Sequence, residues 1–521
     1  MGLRWPRHPV LVALGTLVIG LALLPMAYLV IRAAGAGPAA LEYVFSARTV
    51  EIALNSLWLA LGVAAASLLI GVPFAYLTTR TDLPARRFWL MAGLLGMVIP
   101  SYLGAIAFIE AFGPVGAAQK LLAPLGVQRL PSVYGYFGAW LVITLYTFPY
   151  VVMPVRAALL GLDPAQDEAA RILGLSRWRA FWRVTLPQLR SAIAAGALLS
   201  MLYALSDFGV VILLRYNAFT RAIYTAYNST FDRERAALLA LTLVVLTAVL
   251  VWVERRAART RGRGGVHAGT RRKFTPVPLG RWKWPALLFC AVLVFVSAGI
   301  PLLVLSGWAL NPYVTNPVPV RLDVLAGQTL LVGVLTALAV GAAALPLAIL
   351  GARTRSRSGR VLIAASYLGN VLPGLVIGLA MVYFAANYAP SLYQTLPLLI
   401  YGCAVRFLPF GVSSTQAALG GISPKLEEAA RSLGDSAWRA VWRVTVPLAW
   451  AGVLGGMALV ALNAMKELPT TLLLSPIGFR TLATQAWTAY DSGSRALIGA
   501  PGLLLMAVSA LTLLILLWRE K

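Results

Sequence analysis

Few residues in this 521-residue chain have the types and spacing that chemistry needs. The two cysteines, Cys290 and Cys403, both stand inside apolar runs, so no disulfide framework or thiolate cluster can be built from them. The two histidines, His8 and His267, lie in basic, polar stretches, which argues against histidine-based metal or acid–base chemistry. A phosphate-binding loop needs Gly-Lys-Ser/Thr so that the lysine reaches the terminal phosphates. None of the six lysines follows a glycine, and no loop is long enough for a nucleotide-binding domain. The chain therefore reads as no enzyme, with no catalytic residue, metal or cofactor of its own. What remains are ionisable groups inside or at the ends of apolar runs: Glu110, Asp207 and the adjacent Lys466-Glu467. Such groups are costly in a membrane and mark transport paths. Lys466-Glu467 reads equally as a local ion pair or as snorkelling at a span end.

The elements that must position these residues follow from composition. Hydrophobic residues make up 60% of the chain and charged residues only 12%, about half the soluble share. Mean hydropathy is +0.79. A soluble protein could not bury that much apolar surface, so the chain reads as all-α and polytopic. The formal charge of +26 would suggest nucleic acid in a soluble protein. Here the basic residues fall between apolar runs and report topology, so no nucleic-acid partner is expected. Twelve runs approach the ~20 residues that a crossing helix needs. They are 9–31, 52–78, 88–112, 134–158, 191–214, 236–253, 284–309, 328–351, 361–388, 392–416, 450–474 and 497–518. Arg406 and Pro409 interrupt the tenth. Arg4 and Arg7 stand ahead of the first, which reads as a retained helix. Placing most Lys and Arg inside puts both termini in the cytoplasm. It also makes 255–283, with ten basic and no acidic residues, a cytoplasmic linker able to contact anionic lipid headgroups.

The chain repeats itself. Residues 164–187 match 424–447 at 16 of 24 positions without a gap, an offset of 260 that extends from Pro149/Pro409 to Asp207/Glu467. Upstream, Pro73/Pro346, Arg80/Arg353 and Pro100/Pro373 match at an offset of 273. Six spans per half make a parallel repeat, which places a substrate path between halves. The expected division is 1–254, a linker at 255–283, and 284–521. Prolines inside spans can kink them, for motion or as static packing features.

The repeated segments, 163–187 and 423–447, fall between the fourth and fifth spans of each half. Asp163 and Ser423 are N-cap candidates with Pro164 and Pro424 in the first turn. Asp167, Glu168, Glu427 and Glu428 lie near the positive end of the helix dipole. Gly174 and Gly434 suit the C′ position. A second short helix is expected after Ser176 and Ser436. It sets Trp178, Phe181 and Trp182, or Trp438, Val441 and Trp442, on one interfacial face and ends at Pro187 or Pro447.

Glu168-Ala169-Ala170, Gly174 and Leu186-Pro187, with Glu428-Ala429-Ala430, Gly434 and Pro447, resemble the EAA signature of the membrane subunits of binding-protein-dependent ABC importers. Val446 departs from the usual Leu. With the spans, the resemblance covers nearly the whole chain. It implies a type I importer permease fold, and a loop that docks on a separate cytoplasmic ATPase, expected to be a homodimer that uses the ATP. It also implies a soluble binding protein outside, and a place in a bacterial inner membrane. Two fused halves are most similar to the ferric-iron permeases, with thiamine permeases next; phosphonate and polyamine importers are further alternatives. An ion-coupled secondary transporter is the competing class, but it has no reason to keep two ATPase-docking loops. Asp207, Glu467, Lys466 and Glu110 are the candidate path residues, with the two acids at an outer gate.

Overall fold

The computed structural model describes residues 9–127, 129–230, 232–260, 276–310, 321–353, 357–370 and 372–519. His8, His267 and most of the basic linker lie outside them. Among the described residues ten helices are long and apolar enough to cross a membrane, and two shorter apolar ones, Gly374–Tyr388 and Ala496–Thr512, stand at the ninth and twelfth expected positions. The chain is thus an all-α polytopic protein of two six-span repeats, as its apolar runs dictate: in lipid a backbone must satisfy its polar groups within its own helix.

The packing divides the chain differently from the expected cut at 254/284. One compact unit takes residues 41–231 and 242–307, the other 1–40, 232–241 and 308–521. In the first, helices Ala47–Arg80, Tyr136–Gly161 and Leu186–Ser206 form the core, and Lys283–Val294, from the second half of the sequence, packs on Arg86–Leu94. In the second, Leu322–Arg353, Leu396–Gly420 and Val446–Met465 form the matching core, and Pro9–Ala34 packs on it and on Gly374–Tyr388. Each half lends its first span to the other half's core. Leu11 is buried there with Ala348, Leu350 and Leu419, and Ile19 with Ala344, Leu347 and Val412. The periodicity that located the first span says nothing of its partner, so the cut drawn from the repeat misses this exchange.

Four expected spans are broken in the structure. The third and ninth bend through Leu95–Met97 and Tyr367–Asn370 and restart at Ser101 and Gly374. Pro100 and Pro373 sit at the restarts in the same extended conformation, ψ 134° and 146°. Proline removes an N–H and pushes its predecessor away from helix, so an apolar run can contain two helices. The fifth and eleventh main helices stop at Ser206 and Met465, and short helices Gly209–Leu213 and Pro469–Leu474 follow.

Candidate functional site

Each repeat places a helix–turn–helix between its fourth and fifth spans, built by local sequence. Asp163 Oδ1 accepts the Ala165 N–H at 3.0 Å and Ser423 Oγ the Lys425 N–H at 3.4 Å, starting helices Pro164–Ile172 and Pro424–Ser432. Both end alike. The Leu175 N–H donates to Ala170 O and the Asp435 N–H to Ala430 O, each at 3.1 Å, while Gly174 and Gly434 take φ of 86° and 99°. That bond and a left-handed C′ residue define a Schellman turn. Among the described residues, no atom beyond the chain neighbours lies within 4 Å of where a Cβ would stand at either glycine, so the requirement for glycine seen there is one of backbone conformation.

The second loop helix is capped by Ser176 and Ser436, whose Oγ atoms accept from the Arg179 and Arg439 N–H at 3.4 and 3.3 Å. It does not end at Pro187 or Pro447. It runs through one π-helical stretch, Phe181–Thr185 or Val441–Thr445, directly into the fifth span of each repeat. The Leu186 N–H reaches back to Phe181 O and the Val446 N–H to Val441 O, five residues each. The wider turn adjoins the proline, whose ring would crowd the preceding α-helical turn. Loop and span are therefore one continuous rod.

Of the signature residues, Glu428 and Ala429 are exposed, Ala430 is half-buried, Ala169 is exposed and Ala170 buried; the Glu168 side chain lies outside the described residues. Beside them stand Leu173 and Leu433, 84% and 89% exposed at matching repeat positions. Small alanines next to bare leucines leave each loop tip a shallow apolar surface. Sequence reasoning placed Glu427 only as one of the first-turn acids. It is 1% exposed and accepts a hydrogen bond from Thr445 Oγ1, 18 residues on, tying the two loop helices together.

The candidate path acids sit at the helix breaks. Asp207 is 6% exposed; it accepts from Ser101 Oγ at 2.6 Å and from the Val210 N–H at 2.8 Å. Its backbone carbonyl accepts from Thr220 Oγ1 at 2.7 Å. One carboxylate thus caps the short helix after the break and pins it to the restart of the third span. Glu467 likewise caps its short helix in the other repeat, where Thr470 Oγ1 makes the tie to the ninth-span restart, donating to Gly374 O at 3.1 Å. Glu467 accepts from the Thr470 N–H at 3.2 Å and from Thr470 Oγ1 at 2.8 Å, and pairs with Arg406 Nη1 at 2.5 Å. Ser101 and Gly374 are repeat partners. A Cβ at Gly374 would collide with Arg406 and Glu467. Tyr146 stands where the second repeat has Arg406. The sequence had shown Arg406 only as an interruption; a lone arginine in an apolar run was the signal for a buried partner. Lys466, beside Glu467, is half-buried at the end of its helix. Glu110 is not part of the Asp207 junction: it lies nine residues past Ser101 on one helix, about 13 Å along the axis.

Replacing Asp207 with asparagine should cost ~1 kcal/mol or less, since the amide oxygen still accepts from Val210. Alanine should cost about 2 kcal/mol by orphaning buried donors. Thermal unfolding of both variants checks this; equal losses would mean the charge, not the cap, is what the fold needs.

A family model described as "Binding-protein-dependent transport system inner membrane component" matches residues 67–261 and 344–519. The chain is 29% identical to the Fe(3+)-transport system permease protein FbpB 2 of Haemophilus influenzae, over 98% of each. It is 24% identical to the ferric transport system permease protein FbpB of Actinobacillus pleuropneumoniae, over 90% of this chain and 71% of that one. The molybdenum transport system permease protein ModB of Escherichia coli is 28% identical over 38% of this chain and 89% of its own length.

Proposed function

The chain belongs to the family of binding-protein-dependent transport system inner membrane components, and on that premise we propose that its cargo is ferric iron, handed over by a soluble binding protein on the outer side. It is the permease subunit of an ABC importer, a multi-pass inner-membrane protein that works with an ATPase and a binding protein. The observation that favours iron is coverage. The ferric permease of H. influenzae matches both fused halves end to end, whereas the molybdenum permease matches little more than a third of the chain.

On this reading the ATPase is a homodimer and the two loop tips are its docking surfaces, one per repeat. Glu428 and Ala429, exposed beside Leu433, and Ala169, exposed beside Leu173, support that role. Apolar side chains bared at matching places suit burial by a partner. The unbroken rod from loop to fifth span would carry the push into the membrane. ATP is consumed by the partner, and this chain binds no cofactor. Asp207 and Glu467 end the rods at the path, with Lys466 and Glu110 further along its walls. Iron is cargo here, and its tight ligands belong to the binding protein. Both termini and the basic linker are cytoplasmic.

The test is uptake by the complete importer, with ferric iron and thiamine compared in the same cells. Ferric uptake with thiamine at background is expected; the reverse would overturn the cargo. Asp207→Asn with Glu467→Gln should abolish ferric uptake if the acids serve the path, while normal uptake would leave them as helix caps alone. A reporter fused at Arg263 should read cytoplasmic.

A further inference from the structure

The helices Ala47–Arg80, Leu186–Ser206 and Arg233–Thr260 enclose a groove of about 740 Å³ in the first-repeat unit. Its walls are almost wholly apolar: Leu61 and Leu68 from one helix, Ile193, Ala197 and Met201 from the next, Leu250 from the third. Among the described residues two ionisable side chains line it, Arg190 and Glu254. Arg190 is one turn inside its helix and exposed; Glu254 is half-buried. No ion pair joins them among the described residues. From Leu186 to Met201 the wall runs about 22 Å along its helix, most of a bilayer's ~30 Å hydrocarbon core.

The other repeat has closed the same place. At the offsets of 260 and 273, Ala197 corresponds to Met457, Leu68 to Gly341 and Arg190 to Trp450. The Met457 sulfur lies against Gly341, 2.9 Å from where a Cβ would stand. One repeat therefore fills the gap with its own side chain, and the other leaves it lined for an apolar occupant with an ionic head.

We propose that the groove binds one phospholipid whose headgroup carries both a phosphate and a primary amine, a phosphatidylethanolamine. An acyl chain fits the apolar walls, which shield its methylenes from water. Arg190 donates to the phosphate, and the carboxylate of Glu254 receives the ammonium. That charge pattern selects against a purely anionic headgroup, which Glu254 repels, and against a quaternary amine, which cannot donate a hydrogen bond to it. The site lies at the root of the rod that leads to the first loop tip, so the occupant supports Leu186 and Pro187 where loop becomes span. This requires only that the chain be embedded in a bilayer and is independent of the cargo.

The experiment is native mass spectrometry of the full chain in mild detergent, titrated separately with phosphatidylethanolamine, phosphatidylglycerol and phosphatidylcholine. One phosphatidylethanolamine should be retained in preference to the others. Arg190→Gln should weaken its retention about fivefold, the scale of one basic side chain at a membrane surface. Glu254→Gln should erase the preference over phosphatidylglycerol. Ala197→Met, which copies the filled repeat, should abolish retention, while Ala194→Gly serves as a control for folding by thermal unfolding. Equal retention of phosphatidylglycerol by the unsubstituted chain, or undiminished retention by Ala197→Met, would overturn the proposal. If Ala197→Met fails to fold, Arg190→Gln decides: unchanged retention refutes the site.

Discussion

Arg406→Met is expected to destabilise the protein by about 3–5 kcal/mol, the largest loss among the single substitutions considered. The reason is what it leaves behind. Glu467 is 6% exposed and its guanidinium partner is gone, so a buried carboxylate is left, among the described residues, to hydrogen bonds from Thr470 and the charge of the adjacent Lys466. The double variant Arg406→Met with Glu467→Gln should recover most of that loss. It removes both charges, and the glutamine oxygen can still accept from the Thr470 N–H. Thermal unfolding of the three proteins in detergent is the measurement. If the double variant is no more stable than the single one, the pair is not a charge-compensating unit. The first repeat gives an internal comparison. With Tyr146 in place of Arg406 and Ser101 in place of Gly374, Asp207 is satisfied by a hydroxyl and a backbone N–H, so its neutralisation is the milder change.

The second large effect is on coupling, with little change in stability. Gly174→Val together with Gly434→Val should nearly abolish ATP-driven uptake and co-purification of the ATPase, while the permease still folds and inserts. Each valine is forced into a left-handed conformation, at about 1–2 kcal/mol, and no neighbour is struck because space is open at both positions. The penalty is relieved by unwinding the last turn of each loop helix, which moves Ala169, Ala429, Leu173 and Leu433 together. Uptake and co-purification at normal levels in the double variant would remove the docking role from both loops. A lost permease band would instead show that the turns are needed for insertion, and Gly174→Asn, which tolerates positive φ, would then separate the two.

Most of the architecture was readable from period and punctuation. Twelve apolar runs, the offset of 260 and the capped loop helices all have local causes, and local causes are written in local sequence. The caps at Asp163 and Ser423 and the glycines at 174 and 434 are where side-chain chemistry put them. The misses share one physical origin. The helix break at 95–100 lies inside a run that stays apolar throughout, so hydropathy does not register it; the break at 466–468 carries Lys466-Glu467, whose charges read as an ion pair or a path site and not as the end of a helix. The continuation through Pro187 and Pro447 depends on a π-helical turn that proline rules alone would read as a stop. Arg406 with Glu467, and Glu427 with Thr445, are contacts across 61 and 18 residues, and spacing along one helix cannot propose them. Glu427 sat among first-turn acids that look alike until one of them is buried.

The exchanged first spans bear on how such a protein is made. Helix Pro9–Ala34 leaves the ribosome early, yet the residues that bury Leu11 and Ile19 begin near position 344. At about 5–20 residues per second its partners arrive on the order of 15–60 s later. A helix can wait in lipid because its backbone bonds are already made. A gene cut between 254 and 284 would therefore not yield two self-sufficient halves. Each product would carry a first helix shaped for the other, and would be complete only after trading it.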